Sequence, residues 1–263
     1  MIPHVETTSA AAVSTPDLLR IIPCLLLHER GLVKTKQFKS PVYVGDPINA
    51  VKIFSEKCAD ELIIIDIDAT VESREPEVEF LRDICAQAFM PVCYGGGVRS
   101  VAQMERLFHA GIEKLSISSA ALEEPSLIRE ASRNFGSQSV AVTIDVKRPF
   151  FGGEPAIVTH RAKRRSKRKL RDWVKEVVDL GAGEIVINDV DRDGTMAGYD
   201  YDLIEGVASS ASVPVIALGG AKDVSDMEKL IKETGVAAAA AGSIFVFKGP
   251  HRAVLINYPQ RDY

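Results

Sequence analysis

The chain is short of most features that mark a membrane, secreted, metal-binding or nucleic-acid-binding protein. No apolar run in its 263 residues approaches the roughly 20 needed to span a bilayer. The first residues, MIPHVETTSAAAVSTPD, have neither the basic start nor the apolar stretch of a secretory signal. The four cysteines (Cys24, Cys58, Cys85 and Cys93) lack CxxC spacing. They read as small core residues of a reducing cytoplasm, which argues against disulfides and zinc. Five scattered histidines offer no metal-ligand spacing, so no metal and no cofactor is expected. Aromatics are only 6% of the chain and the formal net charge is −4, so nothing global favours nucleic acid.

What is present is apolar sequence in short pieces. Hydrophobic residues make up 46% of the chain, enough for one large core, and about 250 residues is the usual size of a (β/α)₈ barrel. Strand-like runs at 20–26, 62–67, 91–95, 113–119, 139–146, 184–190, 213–218 and 236–243 alternate with helix-period segments. Eight strand–helix units predict a parallel sheet closed into a single TIM barrel over 18–263, behind a disordered extension at 1–17. Asp46-Pro47 is a helix start, with an acidic cap and Pro at the first position. Glu75-Pro76 and Glu124-Pro125 are expected to act alike. Residues 249–263 are too short and too β-rich for a full eighth helix.

The most informative stretch is Ser139–Arg148, SVAVTIDVKR. A β-branched run ends in Asp145, at the end of a strand where barrels keep their chemistry; a structural ion pair would place an acid there too. Laid over it, the first strand puts Leu26 opposite Asp145, so one half offers a carboxylate and the other does not. The halves echo each other again in GGGV (95–98) with GGAK (219–222), and in SSAA (118–121) with GSIF (242–245). Glycine and serine at strand ends let backbone N–H groups approach an anion, so two phosphate sites on one face are expected. The segment Arg161–Arg171 carries eight basic residues in eleven. It reads as a solvated, mobile loop, or as a means of concentrating an anionic substrate over the active face. With no aromatic interleaved, it is a poor nucleic-acid site.

The phrases IIPCL, GLVK, VGDP, DELIIIDIDA, GGGV, EKLSISSAAL, IDVKR, LRDW, GAGEI, DRDGTMAGYD and GGA resemble the HisF family, the barrel subunit of imidazole glycerol phosphate synthase. The resemblance runs over about residues 19–248. It implies a HisH-like glutaminase on the N-terminal face, whose ammonia crosses the barrel to the C-terminal face. Asp145 matches the family's second catalytic aspartate, and Lys34 its first-strand lysine. Gly97, Ser118, Ser119, Asp193, Gly194, Gly220, Gly242 and Ser243 fall on phosphate-binding positions. Arg20, Glu61, Lys114 and Glu184 match a four-residue charged gate at the barrel floor. Two acids and two bases there are costly to bury unless they pair.

The departures matter as much. Leu26 stands where the family has its first catalytic aspartate, Asp68 and Asn188 stand where it has threonines, Ser118 replaces an asparagine, and Lys222 replaces a glycine. Phrases such as IPCLLL, GLVKT, VGDPINA and HRAVLI are similar to HisF-like partners in acetamidino-sugar formation for bacterial O-antigens. In that branch a separate amidotransferase acts on a nucleotide-activated sugar. The resemblance therefore implies an ammonia-conducting subunit for surface-polysaccharide sugars. The alternatives are the imidazole glycerol phosphate synthase cyclase (a lyase of histidine biosynthesis), or a silent scaffold that only activates the glutaminase.

Overall fold

The computed structural model describes residues 19–150, 152–249 and 251–259; the extension expected over 1–17 lies outside them. Strand β1 (Arg20–His28) opens the barrel and runs into an antiparallel hairpin of β2 (Gly31–Lys36) and β3 (Lys39–Gly45). The barrel continues through β4 (Leu62–Asp66), β5 (Val92–Gly95), β6 (Lys114–Ile117) and β7 (Val140–Lys147). A second hairpin follows, β8 (Ala156–Thr159) and β9 (Arg164–Lys169). Strands β10 (Glu184–Asp189), β11 (Val215–Leu218) and β12 (Ala238–Ala241) complete the ring. Closure is a parallel pairing of β12 with β1, Arg20 opposite Ala238. The first strand of each half thus carries a hairpin, a two-fold echo beyond the glycine motifs.

Helices wrap the outside: α1 (Pro47–Glu56), α2 (Val78–Cys85), α3 (Val101–His109), α4 (Ser119–Glu123), α5 (Ser126–Phe135), α6 (Leu170–Asp179), α7 (Tyr201–Ala208), α8 (Val224–Thr234) and α9 (Ser243–Val246). Asp46 caps α1 as expected, its side chain accepting from Asn49 N at 2.8 Å, with Pro47 at the first turn. Glu75-Pro76 does not start α2, which begins at Val78; Glu75 instead pairs with Arg106 at 2.7 Å. Glu124 does not cap α5 either: its carboxylate accepts from Ser126 Oγ, and the helix has no side-chain cap.

The two-residue strand period divides the core in two. Ile21 and Leu25 face outward into the layer under the helices, with Phe54, Leu115, Val142 and Trp173. Ile22 and Cys24 face the axis with Ile63, Cys93, Val186, Ile216, Leu218, Ala238 and Ala240. Of the four cysteines only Cys24 and Cys93 are buried, whereas Cys58 is exposed in the turn after α1. The basic segment is corrected as well. Arg164–Lys169 is a strand, β9, although most of its side chains are solvated.

Among the described residues no full helix follows β12. After α9 the chain makes a short hairpin, β13 (Phe247–Lys248) with β14 (Ala253–Val254), and then buries Tyr258. The Tyr258 hydroxyl donates to Ile21 O at 2.9 Å, and its ring packs on Phe54 and Phe245. Tyr258 thus fills the outer layer beside β1 and α1. Tyr258→Ala is expected to cost roughly 3–5 kcal/mol, and Tyr258→Phe about 1–3 kcal/mol for the stranded carbonyl. Urea unfolding of the two variants checks the order.

Candidate active site at the barrel mouth

Four charged side chains meet at the floor because each begins a strand or immediately precedes one. Arg20, Lys114 and Glu184 open β1, β6 and β10, and Glu61 precedes β4. Arg20 bonds Glu61 at 2.5 Å and Glu184 at 2.9 Å; Lys114 bonds Glu61 at 3.0 Å and Glu184 at 2.5 Å. Each base touches both acids, so the ring closes. Both carboxylates are buried. Burial pushes the two cations' pKa values down, but Glu184 and Glu61 outweigh it, and both end above their ordinary values.

Above the inner core the barrel opens into a cavity of about 160 Å³ whose lining includes Leu26, Gly97, Ser118, Ser119 and Asp145. Asp145 ends the inward face of β7, and its Oδ1 accepts from Asn188 Nδ2 at 2.8 Å. Burial raises its pKa to about 7, despite the hydrogen bond from Asn188, and the nearby Asp193 raises it further. A carboxyl titrating there is suited to proton transfer at neutral pH. Leu26 lines the same cavity from β1 and supplies no second acid.

A smaller hollow of about 20 Å³ is bordered by Lys34, Asp193, Gly194, Gly220, Gly242 and Ser243. Lys34 comes from the β2 hairpin and is buried, its Nζ donating to Cys24 O. Burial pushes its pKa down against the pull of Asp193. A Cβ at Gly242 would lie 1.9 Å from that Nζ, so glycine makes the room the lysine needs. Gly194 (φ +67) is equally constrained, because a Cβ would meet Thr35 O at 2.1 Å. The Asp193 carboxylate accepts from Thr35 Oγ1 at 3.3 Å, and burial raises its pKa although Lys34 opposes the shift. Lys222 is exposed and does not border the hollow.

Asp68 does not replace the missing aspartate. Ile63 and Ile65 face the axis, so the two-residue period puts Asp66 on the opposite face, and β4 ends there. There the Asp66 carboxylate accepts from the N–H groups of Asp68 and Ala69 and pairs with Arg74 at 3.1 Å, turning the chain. Asp68 is buried against His28 Nδ1 at 2.8 Å, Glu29 N at 3.1 Å, and Arg161.

Sequence reasoning missed Thr70, Arg99 and His160, which line the larger cavity together with Arg161 of the basic segment. Three successive left-handed residues, His160, Arg161 and Ala162, make the turn of the β8–β9 hairpin. Arg161 fixes that turn to the β4 end through Asp68 and through Ile67 O at 3.0 Å. The alternation that hides such a turn in the sequence is only four residues long in β8.

Because burial raises Asp145, the folded chain binds its proton more tightly than the unfolded chain. The carboxyl therefore costs no stability below its unfolded pKa of about 4, and the cost grows until pH passes about 7. Asp145→Asn is expected to raise the melting temperature at pH 8, with the gain shrinking toward pH 4. Thermal unfolding across that range checks the sign.

A family model described as "Histidine biosynthesis protein" matches residues 20–251. The chain is 50% identical to the Pseudomonas aeruginosa protein named "Putative imidazole glycerol phosphate synthase subunit hisF2", over 91% of this chain and 95% of that one. It is 46% identical to a HisF subunit of Leptospira borgpetersenii named in the same way, over 91% and 94%. It is 40% identical to "Imidazole glycerol phosphate synthase subunit HisF" of Streptococcus sanguinis, over 86% and 89%. With a closed barrel, a paired charged floor and glycine-bordered hollows at the mouth, the chain belongs to the HisF family of histidine biosynthesis proteins.

Proposed function

We propose that this chain is the ammonia-receiving barrel subunit of a glutamine-dependent synthase, working with a HisH-like glutaminase docked on the N-terminal face. The observation that carries this reading is the closed ring of Arg20, Glu61, Lys114 and Glu184. It lies at the end of the barrel opposite Asp145, and two buried acids paired by two bases make a polar shutter at an otherwise apolar floor. Phe89, 90% exposed in the segment that enters β5, gives that face an aromatic anchor for the partner. Ammonia admitted there passes up the inner core to Asp145. At the mouth, the cavity beside Gly97, Ser118 and Ser119 and the hollow beside Gly194, Gly220, Gly242 and Ser243 receive the anionic groups of a phosphorylated or nucleotide-linked substrate. Lys34 neutralises charge in the second hollow, and Asp193 holds Lys34. The basic β8–β9 hairpin raises the local concentration of that substrate. Such a subunit works in the cytoplasm.

Two acceptors compete. The names of the relatives favour the phosphoribulosyl substrate of imidazole glycerol phosphate synthesis, and the chain then acts as a lyase. Leu26 favours the other reading, in which the barrel supplies ammonia for acetamidino-group formation on a nucleotide-activated sugar through a separate amidotransferase. One positioned proton-transfer group is worth on the order of 10²–10⁴-fold in rate. Given the phosphoribulosyl substrate and ammonium, the chain is therefore expected to turn over feebly, and Leu26→Asp to raise the rate. Robust turnover by the unchanged chain would select the cyclase.

The gate has its own test. Lys114→Ala should lower glutamine-driven product formation while ammonium-driven formation at the mouth persists. The barrel should stay folded, because Arg20 still pairs both carboxylates. Equal glutamine coupling in the variant would refute the gate. Phe89→Ala should weaken glutaminase binding, read by titration calorimetry.

A further inference from the structure

The β8–β9 hairpin leaves the end of β7 and is tied to the first half of the mouth. Neighbouring strands of the ring run β4, β5, β6, β7. Arg161, in the hairpin turn, bonds Ile67 O at 3.0 Å and the Asp68 carboxylate, both just beyond β4. His160 Nε2 and Arg164 Nη1 lie 4.0 and 3.9 Å from Glu123, the last residue of α4 beyond β6. The turn therefore crosses above the ends of β5 and β6. It roofs the part of the larger cavity that Gly97, Ser118 and Ser119 line. Its left-handed residues His160, Arg161 and Ala162 hold a strained backbone, which lasts only where the surroundings over-determine it.

Positive charge under that roof is not neutralised. Arg99 and Arg161 both line the cavity. Arg161 pairs with Asp68, but Arg99, whose Nη2 donates to Thr70 O at 3.2 Å, has no carboxylate partner among the described residues. Burial lowers the His160 pKa, Arg164 and Arg99 lower it further, and Glu123 opposes them. Asp66, another acid of the lining, is held by Arg74 at 3.1 Å. Below the roof, the strand ends are short of donors, because the Gly97 N–H is already spent on Thr70 Oγ1 at 3.3 Å. An anion there must draw hydrogen bonds from above. There is room for a large one: about 160 Å³ holds on the order of ten waters, against about one or two in the 20 Å³ hollow.

We propose that Arg99, His160 and Arg161 form an anion subsite for the second phosphate of a diphosphate ester whose first phosphate lies at Ser118 and Ser119. This rests on the reading of the mouth as the site of a phosphorylated or nucleotide-linked substrate, and it narrows that substrate to a nucleotide-activated sugar. Guanidinium forks bond phosphate oxygens in pairs. Arg161 spends Nε and Nη2 on the rim, which holds its fork still and leaves Nη1 to donate. Arg99 keeps Nε and Nη1, since only Nη2 is used. His160 Nδ1 is engaged with Thr159 Oγ1 at 3.1 Å, so Nε2 is the ring nitrogen left for a ligand. A substrate with its phosphates at opposite ends would place one in each hollow and leave the roof unfilled. Adjacent phosphates fill both levels of the one cavity.

The test uses the full-length chain and four probes: inorganic phosphate, inorganic pyrophosphate, UDP-glucose and GDP-mannose. Affinities are read by titration calorimetry at fixed ionic strength, and the His160 ring signals by NMR. Pyrophosphate is expected to bind about ten-fold or more tighter than phosphate, the worth of one charge-assisted hydrogen bond, and to shift the His160 ring. Arg99→Gln should remove that preference and Arg99→Lys should keep part of it. Arg99 serves better than Arg161 here, because removing Arg161 also strips a partner from buried Asp68. At least one of the sugar nucleotides should bind with the same dependence on Arg99. Equal affinity for phosphate and pyrophosphate, an undiminished preference in folded Arg99→Gln, or an unmoved His160 would overturn the subsite. Binding of pyrophosphate with neither sugar nucleotide would overturn the ester. Phosphate binding at equal strength leaves a phosphorylated substrate standing, and the gate is decided separately by glutamine coupling in Lys114→Ala.

Discussion

Four charges closed into a ring are the constraint on which the rest of the barrel depends. Glu61 and Glu184 are buried, and a buried carboxylate stripped of its partner costs about 3–5 kcal/mol. Neither acid can therefore sit at the floor without a base that reaches it. That fixes where β1, β4, β6 and β10 begin relative to one another, and so the stagger of the sheet. With the lower ends fixed, strand length alone decides which residues reach the mouth. Asp145 rises from β7 beside Asn188 of β10 because those strands pair in register from the floor upward. Tyr258 then closes the outside of the same floor from a segment too short to be a helix.

Both halves build both hollows at the mouth. The larger cavity takes Leu26 from the first half and Asp145 from the second, and the smaller one takes Lys34 from the first half and Gly220 from the second. Asp68 shows how the first half was refitted. Its carboxylate serves His28, Glu29 N and Arg161, and so anchors the basic hairpin to the rim instead of facing substrate. Asp68 is thus held in a structural network, while Asp145, in the cavity, has its pKa raised by burial to about 7.

Much of this was legible in the sequence for a physical reason. Buried parallel strands are apolar runs, so the eight barrel strands stand out, and a charge at the start of such a run has only the barrel floor to occupy. Arg20, Glu61, Lys114 and Glu184 were readable on those grounds together with the family resemblance. The two hairpins were not. GLVKTK is short and carries lysines although four of its six residues are buried, and RRSKRK is basic and solvated, so each looks like a loop. Where Asp68 points was not legible, because Asp66 ends its strand by capping the next turn and the two-residue period stops there. The contact of Ser116 with Thr143 joins residues 27 positions apart, and no local pattern announces it.

The central claim is that nitrogen travels through the barrel and not through solvent. The most direct measurement supplies amide-¹⁵N glutamine to the barrel–glutaminase complex in an excess of unlabelled ammonium, then reads the isotope in the aminated product. Passage through the charged floor predicts a product enriched in ¹⁵N well beyond the bulk ammonia pool. A product whose label matches the bulk pool would contradict it.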